Sequence, residues 1–271
     1  MAAPRLSVLI PARNEARRLP LLLADLAAAP ALVQEVVVVD GGSRDATPDL
    51  VRLAGARLLD SAPGRGLQLR LGAAHCEGDW LLVLHADGRL SPGWREAVAQ
   101  AMADTRPGAW CFPLRVVADL QGQRAPGPLF LVLGWLVGLR SRWLQRPYGD
   151  QGLLVPMALY RAVGGFRPLP LMEDLDLVQR LARCGRLRML AGGLLVDGRR
   201  WLGLGLLRTA LSNAGLRRAW QRGVAPEVLA RYYRAPLAFR RRTRKRSAAR
   251  WVPAPSPGSG RTPPLPDRRT G

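Results

Sequence analysis

A chain of 271 residues is long enough for one large α/β domain with a buried core, or at most two small ones. Hydrophobic residues make up 48% of it, which excludes a disordered composition for the bulk of the chain. The net charge of +21 is almost all arginine, Lys245 being the single lysine; residues 235–271 set ten Arg or Lys against Asp267 alone, so +9 sits there and +12 in the rest.

Little of this excess is interleaved with aromatics, so it reads first as a solvated Arg-rich surface. Attraction to anionic lipid head groups or phosphorylated substrates comes second, and nucleic acid is not expected. Cys76, Cys111 and Cys184 are widely spaced, without CxxC or His-Cys patterns. They fit small core residues in a reducing compartment, the cytoplasm. The N-terminal apolar run spans about five residues before charges begin, which predicts a first strand and not a signal peptide.

In chain order, Leu6–Pro11, Glu35–Asp40 and Asp79–His85 are apolar at nearly every position, the pattern of parallel strands covered on both faces. Between them come helices. Leu19, Leu22, Leu23 and Leu26 form one apolar stripe, a second helix lies near Asp45–Ala54 with Pro48 in its first turn, and a third follows Gly66. Ser91-Pro92 reads as a cap and first position for a fourth. Such alternation predicts an open, mostly parallel sheet flanked by helices. Trp110–Val117 reads as one further strand. Leu129–Leu139 is 11 residues of apolar chain ending in Arg140 and Arg142, short of the ~20 needed to span a bilayer. It is either a buried helix or one that dips into a membrane surface. Pro147–Gly152 reads as a loop, Leu153–Pro156 as a strand, and Glu173-Asp174 as the start of a helix whose first turn is exposed. Helices near Leu204–Arg222 and Pro226–Tyr233 close a domain of residues 1–234. Residues 235–271 read as a basic, Pro- and Arg-rich disordered tail.

Open parallel sheets bind ligands at the carboxyl ends of their strands. Three such ends carry acids: Glu15 after the first strand, Asp40 after the second, and Asp87 after His85-Ala86. Carboxylates gathered at one rim repel unless a cation or donors sit among them. A nucleoside diphosphate with a divalent metal fits that rim, since Mg²⁺ takes one or two carboxylates plus phosphate oxygens. Asp87 is the natural ligand. His85 serves either as a second ligand, better for Mn²⁺ than Mg²⁺, or as hydrogen-bonded support.

LSVLIPARNEARRLPLLLADL, EVVVVDGGSRDATPDL, DWLLVLHADGRL, GDQGLLVP and LMEDLDLVQRL, in this order over residues 5–234, resemble the family 2 glycosyltransferases of GT-A fold. The chain looks most like a bacterial subgroup with HAD in place of the acidic metal triplet. The resemblance implies an inverting transfer of sugar from a nucleoside diphosphate to a hydroxyl acceptor, with Mg²⁺ or Mn²⁺. It places Pro11, Arg13 and Glu15 on the nucleoside, Asp40 on the base and Asp87 on the metal. Asp150 and Gln151 then face donor sugar and acceptor, Glu173 belongs to the acidic pair, Asp174 is the base, and Arg200-Trp201 lie near leaving phosphate and acceptor. Trp201 by itself reads more often as a core residue, and beside Arg199-Arg200 equally as core or sugar platform. Two departures stand out. Asp40 is followed by Gly41 where two acids are usual, so one nucleotide contact is lost or moved, and Arg65 or Arg70 substitutes for a phosphate-contacting Arg placed differently in relatives.

The chemistry of such a transfer also demands a base and a positive centre on opposite sides of the sugar, which Asp174 and Asp87 provide. A metal-dependent nucleotidyltransferase of similar fold is an alternative, but it needs a Gly-rich loop after the first strand, and Pro11–Glu15 has none. A dehydrogenase needs GxGxxG there. A non-catalytic polyanion- or membrane-binding protein is the remaining alternative, one whose binding survives loss of the acids. The apolar Leu129–Leu139 beside basic residues suggests a lipid-linked acceptor met at the inner face of the membrane, by peripheral contact.

Overall fold

The computed structural model describes residues 4–117, 151–197 and 206–234. Four expectations lie outside these: Asp150, Arg200-Trp201, the apolar stretch 129–139 and the tail 235–271.

The chain begins β1 (Leu6–Ala12), α1 (Leu19–Ala27), β2 (Val33–Asp40), α2 (Thr47–Leu53), β3 (Arg57–Asp60), α3 (Arg65–Ala74) and β4 (Trp80–Val83). It continues with β5 (Gly88–Leu90), α4 (Trp94–Met102), β6 (Gly108–Cys111) and β7 (Leu114–Val117). From residue 151 onward come β8 (Leu153–Pro156), α5 (Met157–Ala162), α6 (Glu173–Cys184), β9 (Arg186–Met189), β10 (Leu194–Asp197), α7 (Leu206–Gln221) and α8 (Pro226–Arg234).

Seven strands pair in the order β3-β2-β1-β4-β8-β6-β9. β1 to β4 run parallel, β8 runs antiparallel to both β4 and β6, and β6 pairs parallel with β9. The sheet is therefore mixed and mostly parallel. Its central strands are sheathed on both faces, as their unbroken apolar runs require. Leu6, Val8 and Ile10 of β1 pack with Leu19, Leu22 and Val98 on one side, while Leu9 packs with Leu69, Leu177 and Leu181 on the other.

Three local expectations are corrected. Trp110–Val117 is not one strand: Pro113, which has no N–H for a ladder, interrupts it, and β7 crosses into a second sheet of order β5-β10-β7. Ser91-Pro92 does not cap α4. The Ser91 hydroxyl instead accepts the Gly193 N–H at 2.7 Å, and Gly93, in the left-handed region at φ 82°, starts the helix. Cys76 and Cys111 are buried as expected, but Cys184, at the end of α6, is exposed.

Candidate functional site

The loops after β1 and β2 are fastened to each other. Asn14, in the left-handed conformation that asparagine tolerates, donates its N–H to Ser43 Oγ and accepts from Arg44 N–H through Oδ1, each at 2.8 Å. Glu15 N–H donates to Thr47 Oγ1 at 2.8 Å, and Ala16 N–H to Asp45 at 3.2 Å. Asp40 is only 4% exposed and accepts from Gly42 N–H at 3.1 Å, Ser43 N–H at 2.8 Å and the Ser43 hydroxyl. Its carboxylate shapes the turn that it begins. Pro11 is half-buried beside this loop and Arg13 is exposed.

Glu15 and Asp87 lie near enough to interact, while Asp40, the third acid expected at this rim, has its carboxylate turned onto its own loop. The Glu15 carboxyl is pushed above its ordinary range, by burial first and then by the charge of Asp87, while Arg18 at 2.9 Å pulls the other way. Two carboxylates close enough to repel are a natural seat for a hard cation. Among the described residues no three His, Cys, Asp or Glu side chains gather into a metal-binding group. The donor set nevertheless suits Mg²⁺ or Mn²⁺ completed by phosphate oxygens, which needs one or two protein carboxylates.

Of the two readings of His85, second ligand or hydrogen-bonded support, the structure has the second. Its Nε2 lies 3.2 Å from Nη1 of Arg65. A guanidinium only donates, so Nε2 accepts, Nδ1 carries the proton, and no lone pair is left for a cation. Burial, and then the Arg65 charge, push the imidazole down to about 3, which keeps it neutral.

Arg65, the first residue of α3, is the centre of the site. Besides His85 it donates to Glu173 and lies 3.5 Å from Asp174. Burial works against its charge, but Glu173 and Asp174 outweigh this and hold it protonated. One guanidinium thus spans from the end of β4 to the start of α6. Gly66 permits the approach: a Cβ there would sit 2.5 Å from the Leu169 carbonyl oxygen.

The first turn of α6 is not exposed. The Glu173 side chain is 2% and that of Asp176 11% exposed, and Asp174 keeps the most solvent access of the three, at 17%. Burial is tolerated because partners are supplied: Arg65 for Glu173, and Arg167 at 3.1 Å with Arg180 for Asp176. Met172, just before the pair, is left-handed at φ 70°, a conformation that costs a non-glycine residue about 1 kcal/mol. It is wedged against Leu216 of α7 and Leu229 of α8, so the two last helices brace the entry to the acidic pair.

Gln151, expected to face donor sugar and acceptor, is fully buried, its backbone oxygen accepting from Phe112 N–H at 2.8 Å and its amide donating to Phe112 O at 3.1 Å, so it secures the end of β6. Met172 and Gln68 escaped the reading of the sequence. Both act through packing or backbone contacts, which leave no local pattern.

Comparison with known proteins accords with this geometry. The model of "Glycosyl transferase family 2" matches residues 7–163. A PGL/p-HBAD biosynthesis glycosyltransferase of Mycobacterium tuberculosis is 38% identical over 97 residues, covering 33% of this chain and 38% of that protein. Among solved structures, Staphylococcus aureus TarS 1–349 superposes with TM-score 0.56 at 18% identity, over 72% of this chain and 60% of that one. Glucosyl-3-phosphoglycerate synthase from M. tuberculosis, solved with Mn²⁺, UDP and glucosyl-3-phosphoglycerate, superposes with TM-score 0.55 at 21% identity, over 74% and 75%. The chain thus spans less than two thirds of the length of the curated relative and of TarS, and at these identities the structures share its fold.

Proposed function

Since this chain belongs to glycosyl transferase family 2 and has the GT-A fold, we propose that it transfers a sugar from a nucleoside-diphosphate donor to a hydroxyl acceptor with inversion at the anomeric carbon. The observation that carries the reading is the Arg65 bridge. It ties Asp174, the most exposed acid in the first turn of α6, to His85, two residues before Asp87 of the rim. UDP in the mycobacterial synthase of the same fold supports a nucleotide donor.

In this reading Pro11, Arg13, Glu15 and the Asp40 turn receive the nucleoside. Asp87 holds a divalent metal, Mg²⁺ or Mn²⁺, which when bound supplies positive charge to the diphosphate. Asp174 accepts the acceptor hydroxyl proton as its oxygen bonds to the anomeric carbon and the bond from that carbon to the diphosphate oxygen breaks. Arg65 serves twice, orienting Asp174 and offering charge to the departing phosphate. Asp150 and Arg200-Trp201 are assigned to donor sugar, acceptor and leaving group by their matching motifs. Asp174→Asn keeps shape and removes the base. Transfer should fall at least ~100-fold while donor binding stays within twofold, measured by turnover and calorimetry. Transfer at the wild-type rate would overturn the assignment.

The acceptor is proposed to be apolar or lipid-linked and met at a membrane surface, because Leu129–Leu139 adjoins Arg140 and Arg142. Among the described residues no helix is long and apolar enough to cross a membrane. Flotation with anionic liposomes tests this, and absence of binding by full-length protein would end it.

A further inference from the structure

Gln68 lies in the first turn of α3, 5% exposed, and reaches across the carboxyl ends of the two strands that carry the rim. Its Nε2 donates to the carbonyls of Ala12 at 2.9 Å and Val39 at 2.8 Å. Those bonds use both amide hydrogens and so fix which way the amide faces. Its Oε1 then looks away from both carbonyls, and no described residue donates to it. A buried acceptor without a donor is uncommon enough to need a reason.

Gly41 supplies the second observation. Its backbone is not left-handed, so glycine is required for space and not for conformation. A Cβ at 41 would stand 2.9 Å from Gln68 Nε2 and 3.0 Å from Oε1. The amide therefore fills the volume that a side chain beside Asp40 would take, at the strand end read above as the nucleotide site.

We propose that Gln68 Oε1 reads the donor's base by accepting its ring imino N–H, a contact left open by Asp40, whose carboxylate is taken up by Gly42 and Ser43. The inference rests on the nucleotide-site reading of Proposed function and deepens it. Uracil and thymine offer N3–H, and guanine offers N1–H. Cytosine presents a bare N3 lone pair there, which would face the Oε1 lone pair and leave both unpaired. Selection comes from what the site repels as much as from what it binds.

The test is calorimetric binding of UDP, GDP and CDP with Mn²⁺ to the wild-type chain, Gln68→Met and Gly41→Ala. CDP serves as the internal control, because it shares ribose and diphosphate with UDP. Wild type should bind UDP or GDP roughly tenfold or more tighter than CDP, as sites built around a hydrogen bond reject analogues that lack it. Both variants should collapse that ratio towards one while CDP affinity changes little; a merely structural amide would weaken all nucleotides together and leave the ratio intact. Gly41→Ala keeps the glutamine and displaces it, so the ratio can still be read should Gln68→Met not fold. A wild type that binds CDP as well as UDP and GDP, or a preference that survives both substitutions, overturns the inference alone. Binding of none of the three overturns the nucleotide-site reading beneath it, and the inference with it.

Discussion

The two walls of the cleft are built differently. The wall after β1 and β2 is held by short hydrogen bonds between adjacent loops: Asn14 with Ser43 and Arg44, Glu15 with Thr47, Asp40 with its own turn. Opposite it, α6 presents Glu173 and Asp174 through an ion pair to Arg65, 108 residues away, and through the Met172 wedge against Leu216 and Leu229. Neighbouring loops that satisfy one another's backbone groups need no distant partner to keep their shape. Buried carboxylates do, because an unpaired charge out of water is costly. The first wall is therefore set largely by its own loops, with Gln68 of α3 added across the strand ends, and the second is conditional on buried ion pairs from elsewhere.

Arg65→Ala should break that comparison most visibly. Removing one partner of a buried pair costs about 3–5 kcal/mol, but the Arg65 side chain is 38% exposed, so solvent screening brings the expected loss to about 2 kcal/mol. Chemical denaturation reads the loss. Amide hydrogen exchange reads its location: segment 171–176 should exchange faster while 14–16 and 42–47 stay protected. Equal loosening of both walls would show that the difference drawn between them is not real.

The same contrast decides what the sequence could disclose. Acids closing apolar runs, Glu15, Asp40 and Asp87, are legible because the strand and its end are contiguous in the chain. The fold follows for the same reason, since Leu19, Leu22, Leu23 and Leu26 state their own buried face. The antiparallel run of β8 was not legible, as LLVP looks alike in either direction. The Gly-Asp-Gln-Gly motif reads as a loop and its resemblance put Gln151 towards sugar and acceptor, yet the Gln151 amide donates to Phe112, a pairing that only strand order reveals. The acidic pair was found as a motif, but its exposure was misjudged because nothing beside residue 173 in the chain announces Arg65. Met172 is harder still: a left-handed methionine leaves no mark on its neighbours.

His85 stands where the two walls meet, and pH sharpens the comparison there by a smaller amount. Its ordinary pKa of 6.5 is pushed down to about 3, by burial and then by Arg65. An unfolded chain therefore takes up a proton below pH 6.5 that the folded chain refuses, so the folded state loses stability as pH falls from 6.5 towards 3 and loses none above it. Glu15 and Glu173, pushed upward, act in the opposite sense, and comparison with His85→Gln cancels them. In metal-free protein, wild type should lose thermal stability between about pH 7 and pH 5 more steeply than His85→Gln. The difference is bounded by about 1.4 kcal/mol per pH unit and smaller because His85 retains some solvent contact. In Arg65→Ala the slope should flatten partway, since one of the two causes of the shift is gone. Parallel pH profiles for wild type and His85→Gln would mean that neither burial nor the guanidinium holds the imidazole neutral, and that the link between the walls is weaker than the 3.2 Å contact implies.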